Sequence, residues 1–111
     1  MAKIITVKKY IDCAEPARVA DVAGIKIYYI QAPGPLLDTN NNPLPGIPFV
    51  PITVVPNQLA YEIDLPAMIP LTEGTWMLGV VTLDAAGNQS DGVVATVPLD
   101  VTAPPKFTWR S

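Results

Sequence analysis

The chain has no histidine and only one cysteine, Cys13, among its 111 residues. Without histidine it lacks the most common general base, the most common zinc ligand and the usual pH-sensitive side chain. One cysteine cannot form an intrachain disulfide, and a catalytic thiol would need a basic partner that the sequence does not offer. The chain also has no G-x-S-x-G segment. These absences predict a protein that is not an enzyme and needs no cofactor.

Charge and long apolar runs are also scarce. Seven basic and ten acidic residues give a net charge of −3, and the basic residues form no cluster. This pattern argues against nucleic acid or an anionic membrane as a partner. Prolines and charges interrupt every apolar run well short of the ~20 residues of a membrane span, and the N-terminus does not resemble a signal peptide. We therefore expect synthesis in the cytosol. Work outside the cell, in a virion or an extracellular assembly, would require lysis or a dedicated secretion route.

Proline, by contrast, is abundant, with 13 residues. Each proline inside a helix costs about 3 kcal/mol, so long helices are excluded. The stretches between the prolines are rich in Val, Ile, Thr and Tyr and alternate in polarity, as strands do. We predict strands at residues 3–13 (one or two strands), 24–31, 49–55, 59–65, 75–84 and 93–101. The fold class is therefore all-β.

Two of these strands have a predictable position in a sheet. Residues 75–84 are apolar on one face and largely apolar on the other, which is typical of a central strand covered on both sides. Prolines bracket residues 49–55, and this favours an edge strand, where a missing N–H breaks no ladder.

Three segments resemble fibronectin type III-like domains of bacteria and phages. Residues 74–92 (GTWMLGVVTLDAAGNQSDG) resemble the last hairpin of that family, residues 21–29 (DVAGIKIYY) its third strand, and residues 11–16 (IDCAEP) the end of its second strand. The three segments occur in the order that the family has. The resemblance implies an immunoglobulin-like antiparallel β-sandwich of about seven short strands, which we expect over residues 1–103.

The chain departs from the family pattern at three places. Cys13 stands where the family usually has a core tryptophan, and Trp76 stands where it usually has a corner tyrosine. If residues 7–13 form the second strand, residues 1–6 are too few for a full first strand. We therefore expect a partly open sheet edge, and such an edge accepts a strand from another chain.

Residues 104–111 form a C-terminal tail after the domain. In it, Phe107 and Trp109 alternate with polar residues, as in a short strand. Two interpretations stay open: the tail folds back onto its own domain, or it inserts into a neighbour as an exchanged strand. The candidate interaction residues are Phe107, Trp109, Tyr28, Leu36 and Leu37. The two leucines lie in the long loop at residues 32–48, and loops of this length often carry function.

The acidic residues are better explained by structure than by chemistry. Residues 38–42 begin like a calcium loop but lack the glycine at position 6 and the acid at position 12 of the EF-hand pattern. Asp84, Asn88 and Asp91 could share a cation, although capping of their own turn is the simpler interpretation. Glu62, Asp64 and Glu73 are interpreted as strand and turn charges rather than as a hydrolytic carboxylate pair.

Our leading hypothesis is a non-catalytic structural or assembly module, such as a virion or appendage component, that acts through protein–protein contacts. Self-association by strand addition of the tail would be its mechanism. The alternative is a carbohydrate- or ligand-binding accessory domain that uses the 32–48 loop with Tyr28, Tyr61 and Trp109. The resemblance implies that such domains often accompany polysaccharide-active enzymes. A fragment of a longer secreted protein is a third hypothesis.

Overall fold

A computed structural model describes residues 7–100 and 105–110 of the chain, so a strand within residues 1–6 lies outside the described residues. Within those two ranges there are six strands and one short 3-10 helix, at Pro16–Asp21. The strands are β1 (Val7–Asp12), β2 (Gly24–Gln31), β3 (Phe49–Ile52), β4 (Ala60–Leu65), β5 (Gly74–Leu83) and β6 (Val93–Leu99). The predicted all-β class is confirmed. No helix in these two ranges has the length and apolar composition needed to cross a membrane.

The strands form two antiparallel sheets. The small sheet pairs β1 with β4, and the large sheet has the order β3-β2-β5-β6. Both predicted positions are confirmed: β5 is an inner strand of the large sheet and β3 is an edge strand. One cluster of buried side chains contains Ile63 and Leu65 of the small sheet together with Ile27, Leu78 and Val97 of the large sheet. The two sheets therefore pack as a sandwich around a single core.

Alternation along β2 decides which side chains enter that core. Ile25 and Ile27 are buried in the cluster and Tyr29 packs against it, while Lys26 and Tyr28 lie on the opposite face of the strand. Successive side chains of a strand point to opposite faces of the sheet, so three core contacts follow from one run of alternating residues.

The outer face of the large sheet is covered by the long loop between β2 and β3. Leu36 of this loop is only 1% exposed and sits over Gly79 of β5, where an added Cβ would lie 2.7 Å from Leu36 Cδ2. Val81, on the same face of β5 as Gly79, is completely buried. The loop is fastened by hydrogen bonds from the N–H of Leu44 to the carbonyl of Leu36 and from the N–H of Gly92 to the carbonyl of Asn41. The predicted two-sided cover of β5 is thus confirmed.

Candidate protein-interaction site

The tail holds the two most exposed apolar side chains in the described part of the chain. Residues 105–110 belong to no strand, and every one of them is exposed. Phe107 is 99% exposed and Trp109 is 101% exposed. Phe107 and Trp109 are therefore not buried against their own domain, as the fold-back interpretation of the tail would require.

Full exposure of two aromatic side chains is energetically unfavourable. Burying one such side chain contributes roughly 1.5–3 kcal/mol relative to leaving it in water. Aromatic residues are enriched among the side chains that carry most of the energy of protein interfaces. Phe107 and Trp109 therefore gain free energy from any apolar surface that accepts them.

Tyr28 occupies the outer face of the large sheet near its β3 edge. Its ring lies 5.1 Å from that of Phe49, its register partner on β3, and Lys26 Nζ is 4.6 Å from the centroid of the Phe49 ring. Aromatic pairs directly opposite each other on two strands stabilise a sheet. The position of Tyr28 is therefore explained by cross-strand packing.

The three aromatic residues of the carbohydrate hypothesis are not brought together. Tyr28 lies on the outer face of the large sheet, whereas Tyr61 lies on the small sheet and packs against the core. The hydroxyl of Tyr61 accepts a hydrogen bond from the N–H of Val55 and donates one to the carbonyl of Val55. Trp109 is on the tail. These three side chains form no common platform.

Leu36 and Leu37 hold the 32–48 loop on the sheet. Leu36 is buried over Gly79, and Leu37 is half-buried over Gly92, where an added Cβ would lie 2.6 Å from Leu37 Cδ2. A partner could reach Leu36 only after the loop had left the sheet. Neither leucine forms an apolar surface comparable with that of the tail.

The turn-capping interpretation is confirmed for Asp38 and Asp84, but not for Asp91, whose carboxylate makes no hydrogen bond in the described part of the chain. Asp38 Oδ1 accepts hydrogen bonds from the N–H groups of Asn40 and Asn42. Asp84 Oδ1 accepts from the N–H groups of Ala86 and Asn88, and Asp84 Oδ2 accepts from the Asn88 side-chain amide at 2.9 Å. These hydrogen bonds, led by the one from the Asn88 side chain, hold the pKa of Asp84 below its ordinary value. Both carboxylates therefore serve their own turns.

A groove opens at the end of the sandwich where β1 and β5 end and β2, β4 and β6 begin. Its volume is about 590 Å³. Much of its apolar lining comes from Ile11, Cys13, Ile25, Tyr61, Val80 and Val93. Val93 pairs with Val80 and so lies on the core-facing side of the large sheet, yet it is 67% exposed. A small sheet of two described strands leaves this end of the four-stranded sheet uncovered.

The rim of this groove is acidic. The carboxylates that line it belong to Asp12, Glu15, Asp21, Asp84 and Asp91. Arg18 is the one basic residue among the described residues of the lining, and its guanidinium is 3.4 Å from Glu15 and 3.2 Å from Asp21. The two carboxylates raise the pKa of Arg18. Within residues 7–100 and 105–110, Asp12 and Asp91 have neither an ion pair nor a side-chain hydrogen bond.

Sequence reasoning missed the groove. The residues that line it come from six separate stretches of the chain, and no local pattern connects Cys13 with Val93. Comparisons with protein-family models, with curated proteins and with solved structures gave no match. A proposal about the protein's activity therefore has to start from its own surface. In the described part of the chain, the tail and the groove are two apolar features without a partner.

Proposed function

We propose that the protein is a fibronectin type III-like β-sandwich that serves as a non-catalytic structural or assembly module. It acts through protein–protein contacts made by its C-terminal tail. The observation that carries this proposal is the nearly complete exposure of Phe107 and Trp109 on a segment outside both sheets. Two fully exposed aromatic side chains, separated by one residue, are suitable anchors for a protein partner.

The environment of Trp76 supports the domain type. In immunoglobulin-like sandwiches a tyrosine near the start of one strand donates a hydrogen bond back to the backbone a few residues upstream. Trp76, near the start of β5, donates from Nε1 to the carbonyl of Thr72 at 2.8 Å. The tryptophan therefore makes the same kind of backbone contact as the corner tyrosine that it replaces.

The open edge of the small sheet supports strand addition as the mechanism. In the described part of the chain, β1 has β4 as a neighbour on one side and no strand on the other. Unpaired N–H and C=O groups on such an edge can hydrogen-bond to an added strand. The tail alternates polar and aromatic residues, so one face of an added strand would present both Phe107 and Trp109.

A module of this kind would serve in a repeating assembly, such as a virion or an appendage. Self-association is the simplest form of its protein contacts, because a small domain with an added strand can repeat without a second component.

The test is the mass in solution, measured by light scattering for the full chain and for a chain that ends after Ala103. The proposal predicts a full chain that oligomerises and a shortened chain that is a folded monomer. Far-UV circular dichroism would show whether the shortened chain keeps its β-structure. Monomers in both cases would overturn assembly as the function and make a ligand screen, including glycans, the next experiment.

A variant gives a finer form of the same test. Phe107→Ala/Trp109→Ala removes both aromatic anchors but leaves the length of the tail unchanged. Phe49→Ala is a matched control, because Phe49 is a 43% exposed aromatic residue of the sandwich on β3, away from the β1 edge. We expect the tail variant to lose self-association and the control to keep it. Equal assembly by the tail variant and the parent would refute the aromatic tail as the connector.

A further inference from the structure

We propose that the tail of one copy docks into the acidic groove at the opposite end of a second copy, so that copies join head to tail. This inference rests on the proposed function and adds to it the identity of the partner and the place where the tail binds. The groove and the tail are complementary in apolar character, in charge and in position.

The apolar match concerns the floor of the groove. Leu59 and Val93 line it and are 46% and 67% exposed, although they are large apolar residues. The volume of about 590 Å³ lies within the ~300–1,000 Å³ of ordinary ligand pockets. A strand carrying Phe107 and Trp109 on one face would bring two aromatic side chains to this floor. Each aromatic side chain buries roughly 150–250 Å² when it is enclosed.

The charge match concerns the rim. Asp12 and Asp91 have no ion pair or side-chain hydrogen bond in the described part of the chain, and Arg18 is already held by Glu15 and Asp21. The tail brings two cations, Lys106 and Arg110, on either side of its aromatic residues. Opposite charges around an apolar centre steer association and fix the register of the partners.

The positional match follows from β6. This strand begins beside the groove at Val93 and ends at Leu99, opposite Gly74 at the start of β5. Its seven residues at ~3.3 Å each separate the two ends by about 20 Å. The last described strand before the tail therefore ends on the side of the sandwich remote from the groove. A contact between two different surfaces, repeated from copy to copy, generates rings or filaments.

Strand addition and groove binding are compatible in this arrangement. The end of β1 supplies Ile11 and Asp12 to the lining, Cys13 follows directly after that strand, and β6 supplies Val93. A tail strand added beside β1 would extend the small sheet over the exposed core-facing side of Val93. The same segment would thus pair its backbone with an open edge and place its aromatic residues in the groove.

A charge-reversed groove tests the docking place. Asp91→Lys reverses one rim charge. Glu62→Lys is the control, since it reverses an exposed carboxylate outside the groove, although it also breaks the surface ion pair between Glu62 and Lys8. Sedimentation equilibrium should show self-association of Asp91→Lys weakened about tenfold or more, and that of Glu62→Lys nearly unchanged. If Asp91→Lys associates as tightly as the parent while the tail-less chain is monomeric, the tail binds elsewhere. The proposed function would then survive without this inference.

Complementary variants test the head-to-tail polarity. Phe107→Ala/Trp109→Ala has an intact groove and no anchors, whereas Asp91→Lys has an intact tail and an impaired groove. At a concentration where neither variant associates alone, an equimolar mixture should form a 1:1 complex that does not grow further. A mixture that stays monomeric would overturn the proposal. A parent chain that is monomeric at every concentration would overturn it together with the proposed function.

Discussion

The 32–48 loop and the 105–110 tail are alike in sequence and opposite in structure. Both are irregular, both contain or adjoin prolines, and both carry large apolar side chains: four in the loop (Leu36, Leu37, Leu44 and Ile47) and two in the tail (Phe107 and Trp109). In the loop, Leu36 is 1% exposed; in the tail, Phe107 and Trp109 are completely exposed. Two irregular segments with apolar side chains therefore differ in burial, and the difference depends on the surface against which each segment lies.

The loop meets a sheet with room for its leucines. Gly79 of β5 leaves the space that Leu36 occupies, and Gly92 before β6 leaves the space that Leu37 occupies. Hydrogen bonds through Asn41 and Asp38 fix the loop in that position. In the described residues, Phe107 and Trp109 of the tail are not buried against any surface of their own domain. The full exposure of Phe107 and Trp109 is the reason for our proposal that the tail binds another molecule.

The largest expected effect comes from emptying the space under the loop. Leu36→Ala removes a fully buried side chain over Gly79, and such changes cost about 2–5 kcal/mol. Urea unfolding followed by tryptophan fluorescence would measure the loss. Leu37→Ala, at a half-buried site, is the control and should cost less. A loss below about 1 kcal/mol for Leu36→Ala would mean that the loop is not packed as described.

A somewhat smaller loss of stability is expected when a methyl group is added at Gly79 of β5, in the space that Leu36 occupies. The methyl group of Gly79→Ala would lie 2.7 Å from Leu36 Cδ2, and overpacking of this kind costs roughly 1–3 kcal/mol. The double variant Gly79→Ala/Leu36→Ala removes the clash. Its loss in the free energy of unfolding should therefore be smaller than the sum of the two single losses. Additive losses would show that these two positions do not touch.

Much of the β-structure could be predicted from the sequence because alternation is a local property. The prediction for β2 gave its bounds, Gly24–Gln31, and the prediction for β5 began one residue late, at Thr75 instead of Gly74. The edge position of β3 followed from its prolines, because proline cannot donate to a ladder. In each case a few neighbouring residues are enough to predict the strand or its position in the sheet.

The burial of Leu36 and the groove could not be predicted in this way. Leu36 and Gly79 are far apart in the sequence and meet only because the loop folds over β5. The exposure of Val93 depends on how many strands the opposite sheet contributes at that end. Both features are products of tertiary packing, so the sequence analysis placed Leu36 among the candidate interaction residues and did not find the groove.

A smaller effect on the free energy of unfolding is expected from replacing Asp84, because its turn is held by hydrogen bonds rather than by apolar contacts. The pKa of the Asp84 carboxyl is lowered from its ordinary value of 3.8 by these hydrogen bonds. The ionised carboxylate therefore stabilises the fold near neutral pH, and this stabilisation is lost as the pH falls through the pKa that Asp84 has in the folded protein. Asp84→Asn should reduce stability at about pH 7 and narrow the difference in stability between about pH 7 and pH 3. Asp91→Asn, without bonds to a turn, is the control. An unchanged pH profile for Asp84→Asn would contradict the capping role.

The smallest effect on stability is expected from replacing the two exposed aromatic side chains of the tail. Phe107→Ala/Trp109→Ala deletes far more apolar surface than Leu36→Ala, but both tail side chains are already in water in the folded monomer. The free energy of unfolding, measured in urea at concentrations where the chain is monomeric, should therefore change by less than about 0.5 kcal/mol. A loss of 1 kcal/mol or more would show that the tail packs on its own sandwich. That result would remove the difference between loop and tail, and with it the reason to expect that the tail binds a second copy.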